Sequence, residues 1–293
     1  MCSLSAVYAG PADEYIERGI DKGRQGDYSG AIGDFSRSIK LRPKNPEAYY
    51  DRGVARGFIG DTKGAISDYT RAIEIDPRSA GAYNNRGFSR ASLGQYAAAI
   101  ADISKAIAID PKLAELYNNR GTVRTSMKDY AGAIEDFTRA IELNPQLAGA
   151  YNNCGLARAL KDDLLGALED YTRAVTLDQR YTVAWYNRGN VRVALGDAKG
   201  AIEDYSKAIV LEPGMLAAWN NRAFARITMG EFAGAVGDLS RIVDSAPDNS
   251  SGWYNRGIAK KLCGERQGAI EDLKKAASLG DAFATDVLKE LEP

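Results

Sequence analysis

Histidine is absent from all 293 residues. That removes the commonest general base and the commonest metal ligand together. Cysteine is scarce: Cys2, Cys154 and Cys263 form an odd, widely spaced set with no C-x-x-C pair. Such a set suits neither a metal site nor a disulfide framework and reads as buried or incidental thiols. No apolar run is long enough to span a bilayer, so no membrane insertion is expected. The net charge is −1, which supplies no pull toward nucleic acid. There is no glycine-rich phosphate loop, and no pair of acids stands outside one recurring pattern. These absences point away from an enzyme, and no cofactor is implied.

What is present is a repeat. Residues 80–113, AGAYNNRGFSRASLGQYAAAIADISKAIAIDPKL, return in the same frame at Ala114 and Ala148. Counted from Ala12, the 34-residue period gives eight copies: 12–45, 46–79, 80–113, 114–147, 148–181, 182–215, 216–249 and 250–283. Eleven residues precede them and ten follow, which leaves no room for a catalytic domain within these residues. A fixed period of this size marks stacked repeats that pack on their neighbours as one quasi-linear body. The anchors in the third copy are Tyr83, Gly87, Ala99, Ile103, Ala106 and Pro111. This pattern resembles the tetratricopeptide repeat, a helix–turn–helix unit. The resemblance implies an all-α solenoid, a right-handed superhelix of about sixteen helices plus a C-terminal capping helix.

Each copy reads as two helices. Asn45-Pro46-Glu47 supplies an N-cap followed by proline at the first helical position. Gly26, Gly60, Gly94, Gly196, Gly230 and Gly264, at position 15 of the period, stop the first helix. Asp27, Asp61, Asp129, Asp163 and Asp197 follow as N-caps of the second. Small residues at positions 8, 20 and 27 let the two helices approach. The fifth copy departs most, with Cys154, Asp162 and Gln179 in place of arginine, glycine and proline. After the last copy, Phe283, Val287, Leu288 and Leu291 recur with helical spacing, so residues 282–291 read as a capping helix, its end at 284–293. Residues 1–11 are a tail. Either it is a plain N-terminus or its first nine residues end a longer signal peptide, so cytoplasmic and exported locations both stay open.

Two patterns depart from the family. Position 7 is arginine in seven copies, position 11 is arginine or lysine in all eight, and position 23 is always aspartate. The matching recurrence predicts an ion pair between the two helices of each copy, with position 11 the favoured partner because it alone is basic throughout. The other departure is asparagine at position 6 in six consecutive copies: Asn85, Asn119, Asn153, Asn187, Asn221 and Asn255. Position 6 lies about 200° round the helix from position 4, away from the core. In the family that side lines the concave groove, and the run is similar to the asparagine ladders of O-GlcNAc transferase and importin-α.

An amide donates and accepts, which suits the peptide bonds of an extended ligand. The alternative for this asparagine run is a bond to neighbouring backbone or to its own helix. Tyr50, Tyr186 and Tyr254 at position 5, and Phe88 and Phe224 at position 9, are the candidate aromatic anchors. The basic residues that chaperone-tail-binding members use to clamp a carboxylate are missing at positions 2, 5 and 6. The expected function is a non-catalytic scaffold that holds a protein or peptide segment in the groove. Self-assembly through the ends or the convex face is the alternative.

Overall fold

Each period folds as a helix–turn–helix pair for local reasons. The carboxylates of Asp27, Asp61, Asp129, Asp163 and Asp197 accept the backbone N–H three residues on, at 2.8–3.1 Å. This satisfies a donor that the first turn leaves without an intrahelical partner. The donor is glycine each time. A Cβ there would fall within 2.4 Å of the capping carboxylate. Asn45 caps its helix in the same manner through the Glu47 N–H at 3.0 Å, with Pro46 at the first helical position.

The computed structural model describes residues 10–292. Cys2 and the segment read as a signal-peptide remnant lie outside the described residues. The helices fall into two compact units that divide at Pro145 and Gln146. The first unit holds α1 (Pro11–Arg24), α2 (Tyr28–Leu41), α3 (Pro46–Phe58), α4 (Thr62–Ile75), α5 (Ala80–Ser92), α6 (Tyr96–Ile109), α7 (Ala114–Ser126) and α8 (Tyr130–Leu143). The second holds α9 (Ala148–Leu160), α10 (Leu164–Leu177), α11 (Thr182–Ala194), α12 (Ala198–Leu211), α13 (Leu216–Thr228), α14 (Phe232–Ser245), α15 (Ser250–Cys263), α16 (Arg266–Ser278) and α17 (Ala282–Leu291). Each unit is all-α among its described residues, and each stacks four helix pairs. No helix among them is long and apolar enough to cross a membrane.

Within a pair, the large side chain at position 24 fills space that glycine at position 8 leaves open. A Cβ on Gly53 would stand 2.7 Å from the Tyr69 ring, and Tyr69 is buried. Burying such a side chain contributes roughly 1.5–3 kcal/mol. In the seventh repeat Ala223 takes the place of glycine and packs with Leu239, not a ring. Between pairs, alanine at position 3 seats against the preceding second helix. Ala82 meets Ala72 and Ile73, and Ala218 meets Ala208 and Ile209. The helix α17 closes the second unit as expected: Val287, Leu288 and Leu291 pack around Leu273 and Ala276. Phe283 differs from expectation. It is 71% exposed, and Ala284 takes the buried place.

Candidate functional site

The asparagine ladder is hydrogen-bonded to itself. In the first unit, Asn85 Nδ2 donates to the Tyr50 hydroxyl at 3.1 Å. Asn84 donates to Asn85 Oδ1 at 3.1 Å, and Asn119 donates to Asn84 Oδ1 at 3.0 Å. In the second unit Asn152 donates to Asn153, and Asn187 donates to Asn152. Asn221 donates to the Tyr186 hydroxyl and to Asn190 Oδ1, and Asn255 donates to Asn220. Within each unit, Asn85, Asn119, Asn187, Asn221 and Asn255 at position 6 each bond position 5 of the repeat before. The partners are therefore side chains of the preceding repeat, so the ladder sets the register of successive first helices. The bonds named engage one of the two N–H groups on Asn119, Asn187 and Asn255. Of the position 5 tyrosines, Tyr50 and Tyr186 serve as ladder acceptors. Tyr254 instead packs in the α17 cluster, its ring 6.5 Å from Phe283.

Beside the ladder lie recesses of one design. Each is bounded by a first helix, its second helix and the next first helix, and Asn119 of α7 adds to the one in the first unit. In the first unit Asn85, Phe88, Asn119 and Tyr69 line one of about 400 Å³. In the second unit Asn221, Phe224, Asn190 and Tyr205 line one of about 280 Å³. The structure thus brings together Asn85, Asn119 and Phe88, and separately Asn221 and Phe224. Phe88 is 48% exposed and Phe224 is 49% exposed, so both rings stand open at the recess mouths. Asn190 had no assigned role in the sequence. It accepts from both the Tyr205 hydroxyl and Asn221, at 2.8 and 2.9 Å. Its signal was available: a polar residue at position 9, where Phe88, Leu156, Phe224 and Ile258 stand in other repeats.

Family models described as tetratricopeptide repeat match residues 46–79, 68–101, 114–147 and 186–250, and one described as TPR repeat matches 24–57 and 89–125. The chain belongs to the tetratricopeptide repeat family. Among solved structures it is similar to MamA, at 28% identity and a TM-score of 0.52, over 58% of this chain and 93% of that one. It is similar to YrrB, described as a tetratricopeptide protein with an unusual peptide-binding site, at 24% identity and a TM-score of 0.50, over 63% and 95%. A tetratricopeptide repeat protein from Parabacteroides merdae shares the fold at 19% identity, with a TM-score of 0.62 over 86% and 97%. No curated protein matches the sequence.

The tetratricopeptide pattern has leucine at position 7 and tyrosine at position 11, and the structure shows what replaces them. Arg52 sends Nε and Nη2 to the two Asp68 oxygens at 2.9 and 2.7 Å, and Nη1 to Ser36 of the preceding repeat at 3.0 Å. Its guanidinium lies 5.6 Å from the Tyr49 ring centre. The same two-pronged grip joins Arg86 to Asp102, Arg188 to Asp204 and Arg222 to Asp238. Position 11 adds a third contact, such as Arg56 to Asp68 at 2.9 Å. The principal partner is therefore position 7, not the expected position 11. The reason is geometric: only position 7 presents the planar fork to both carboxylate oxygens. The arginine stripe of the tetratricopeptide array is turned onto buried carboxylates, so it offers no free anion-binding ladder.

Proposed function

We propose that the chain is a non-catalytic scaffold that holds an extended polypeptide segment along the face lined by its first helices. The recurrence of one recess design in both units carries this reading. Each has half-exposed phenylalanine beside a hydrogen-bonded amide. An open ring beside paired donors and acceptors supplies both parts of peptide recognition: apolar area for a side chain and polar groups for its backbone. The ladder bonds hold those amides in place before a ligand arrives, which lowers the ordering cost of binding. YrrB shares the fold and is described as having a peptide-binding site.

The test is fluorescence anisotropy with a panel of labelled, unstructured nonapeptides. Phe88→Ala and Phe224→Ala, each at an exposed ring, should leave the circular dichroism unchanged and weaken binding about tenfold each, the loss expected of one buried aromatic anchor. Binding that neither substitution alters would defeat the assignment of these recesses.

A further inference from the structure

The same recess occurs a third time, between the first and second repeats, and there it is charged. Its volume is about 280 Å³, many times the roughly 30 Å³ that one water takes. The walls are Ile20 of α1, Tyr28 and Phe35 of α2, and Val54 and Phe58 of α3. Tyr28 and Phe58 stack face to face, centroids 4.5 Å apart and 5° from parallel. Gly23 lies at the edge of the opening, with nothing within 4 Å of where its Cβ would stand. The ladder position that lines it is Asp51, where the six later repeats have asparagine.

Asp51 has no hydrogen-bond or ion-pair partner among the described residues, and it is only partly exposed. The basic side chains nearest it in the two first helices pair with other carboxylates. Arg18 and Lys22 hold the buried Asp34, Arg52 and Arg56 hold the buried Asp68, and Arg24, 76% exposed at the rim of the recess, bonds Asp21 at 3.2 Å on its own helix. Glu47 stands one turn away on the same helix, and burial together with its charge raises the Asp51 carboxyl to about 6. An unpartnered carboxylate in an apolar, aromatic-walled recess is complementary to one kind of guest: an aliphatic stem ending in a positive charge.

We propose that the recess between the first and second repeats is a pocket for the side chain of a lysine or arginine in the bound polypeptide. This rests on the peptide-binding reading and deepens it. The amide-lined recesses are indifferent to side-chain charge, whereas this one selects, so it sets the register in which a segment lies on the first unit.

Two experiments on the full chain separate the two ideas. In the first, methyl resonances of Ile20 and Val54 are followed by NMR during titration with n-butylammonium or n-butylguanidinium, with 1-butanol as the neutral control. Saturable shifts are expected with the cations, weaker by about tenfold or more with butanol and in Asp51→Asn, which loses one charge-assisted contact. Asparagine is the natural residue at this position in six repeats, so the variant keeps its fold. Equal response to cation and alcohol, no response, or an unchanged Asp51→Asn would overturn the pocket. In the second, nonapeptides that differ only in lysine or norleucine at one site are compared. A lysine preference that disappears in Asp51→Asn supports the proposal. Tight peptides with no such preference overturn the pocket and leave the scaffold standing. Cation binding without any peptide binding keeps the pocket and sinks the scaffold.

Discussion

The fifth repeat tests how the buried aspartates are held. Asp170 has lost its two-pronged partner to Cys154, and Arg158 Nε stands 3.4 Å from its Oδ2. One buried oxygen, Oδ2, has no hydrogen bond. Burial pushes the Asp170 carboxyl above its ordinary value, offset in part by the Cys154 thiol and the Arg158 charge. Asp204, at the same place in the next repeat, has the full grip of Arg188 and a further contact from Arg192 at 3.0 Å. Asp204→Asn should therefore cost about 2–4 kcal/mol, because it strands a guanidinium that is itself buried. Asp170→Asn should cost under about 0.5 kcal/mol or stabilise, because it removes a poorly solvated charge. The pH dependence follows from the sign of the shift. The folded state holds the Asp170 proton more tightly than the unfolded chain, whose carboxyl titrates near 3.8. Stability from this residue is thus present below that value and declines as pH rises through the higher folded value. The advantage of Asp170→Asn should be largest at neutral pH and vanish toward pH 3, as read from urea melts at both pH values. Equal costs at Asp170 and Asp204 would refute this account.

At the level of the helix, the turn at position 15 demands a left-handed residue. Six repeats place glycine there, with φ between +74° and +84°. The fourth and fifth have Lys128 and Asp162 at φ +63° and +66°. A side chain in that conformation costs about 1–2 kcal/mol, less for aspartate than for lysine. The surrounding frame imposes it: the two flanking helices are already spaced by buried packing and by the capping bonds of Asp129 and Asp163 to Gly132 and Gly166. Lys128→Gly should then raise stability by about 1 kcal/mol, and Asp162→Gly by less. A raised urea midpoint with unchanged slope would establish it; a lowered midpoint would show that Lys128 makes contacts worth more than its strain.

At the scale of the molecule, a stack of repeats exposes an apolar face wherever it stops. The second unit ends on α17, whose own Ala284 is fully buried against Leu273 and Ala276 of α16. Lys261 to Glu290 and Lys274 to Glu292, at 2.7 and 2.8 Å, tie its outer side down. These exposed pairs add little, roughly 0–1 kcal/mol each, so the apolar contact is what holds the helix. Deleting residues 282–293 should strip hydrogen-exchange protection from α15 and α16 first and raise the sedimentation coefficient with concentration as the bared faces meet. Unaltered protection in residues 250–280 would mean that α17 is not a cap.

The period, the helix ends, the capping aspartates and the buried position 23 acids were all legible in the amino-acid sequence. Each depends on residues within one turn of each other or on a recurrence that repeats eight times, and helical geometry converts such spacing directly into faces and caps. The identity of the partners was not legible. Asn119 meets Asn84, 35 residues away. Arg52 rather than Arg56 presents its fork to Asp68, and Asp51 is left with neither. Phe283, one position from Ala284, faces out although both fit the apolar stripe. These outcomes turn on the distance and rotation at which one helix pair settles on the next, and that is set by how buried side chains such as Tyr69 and Ala82 fill the space between pairs. A repeat specifies which residues face a neighbour; packing density specifies which atom of the neighbour they reach.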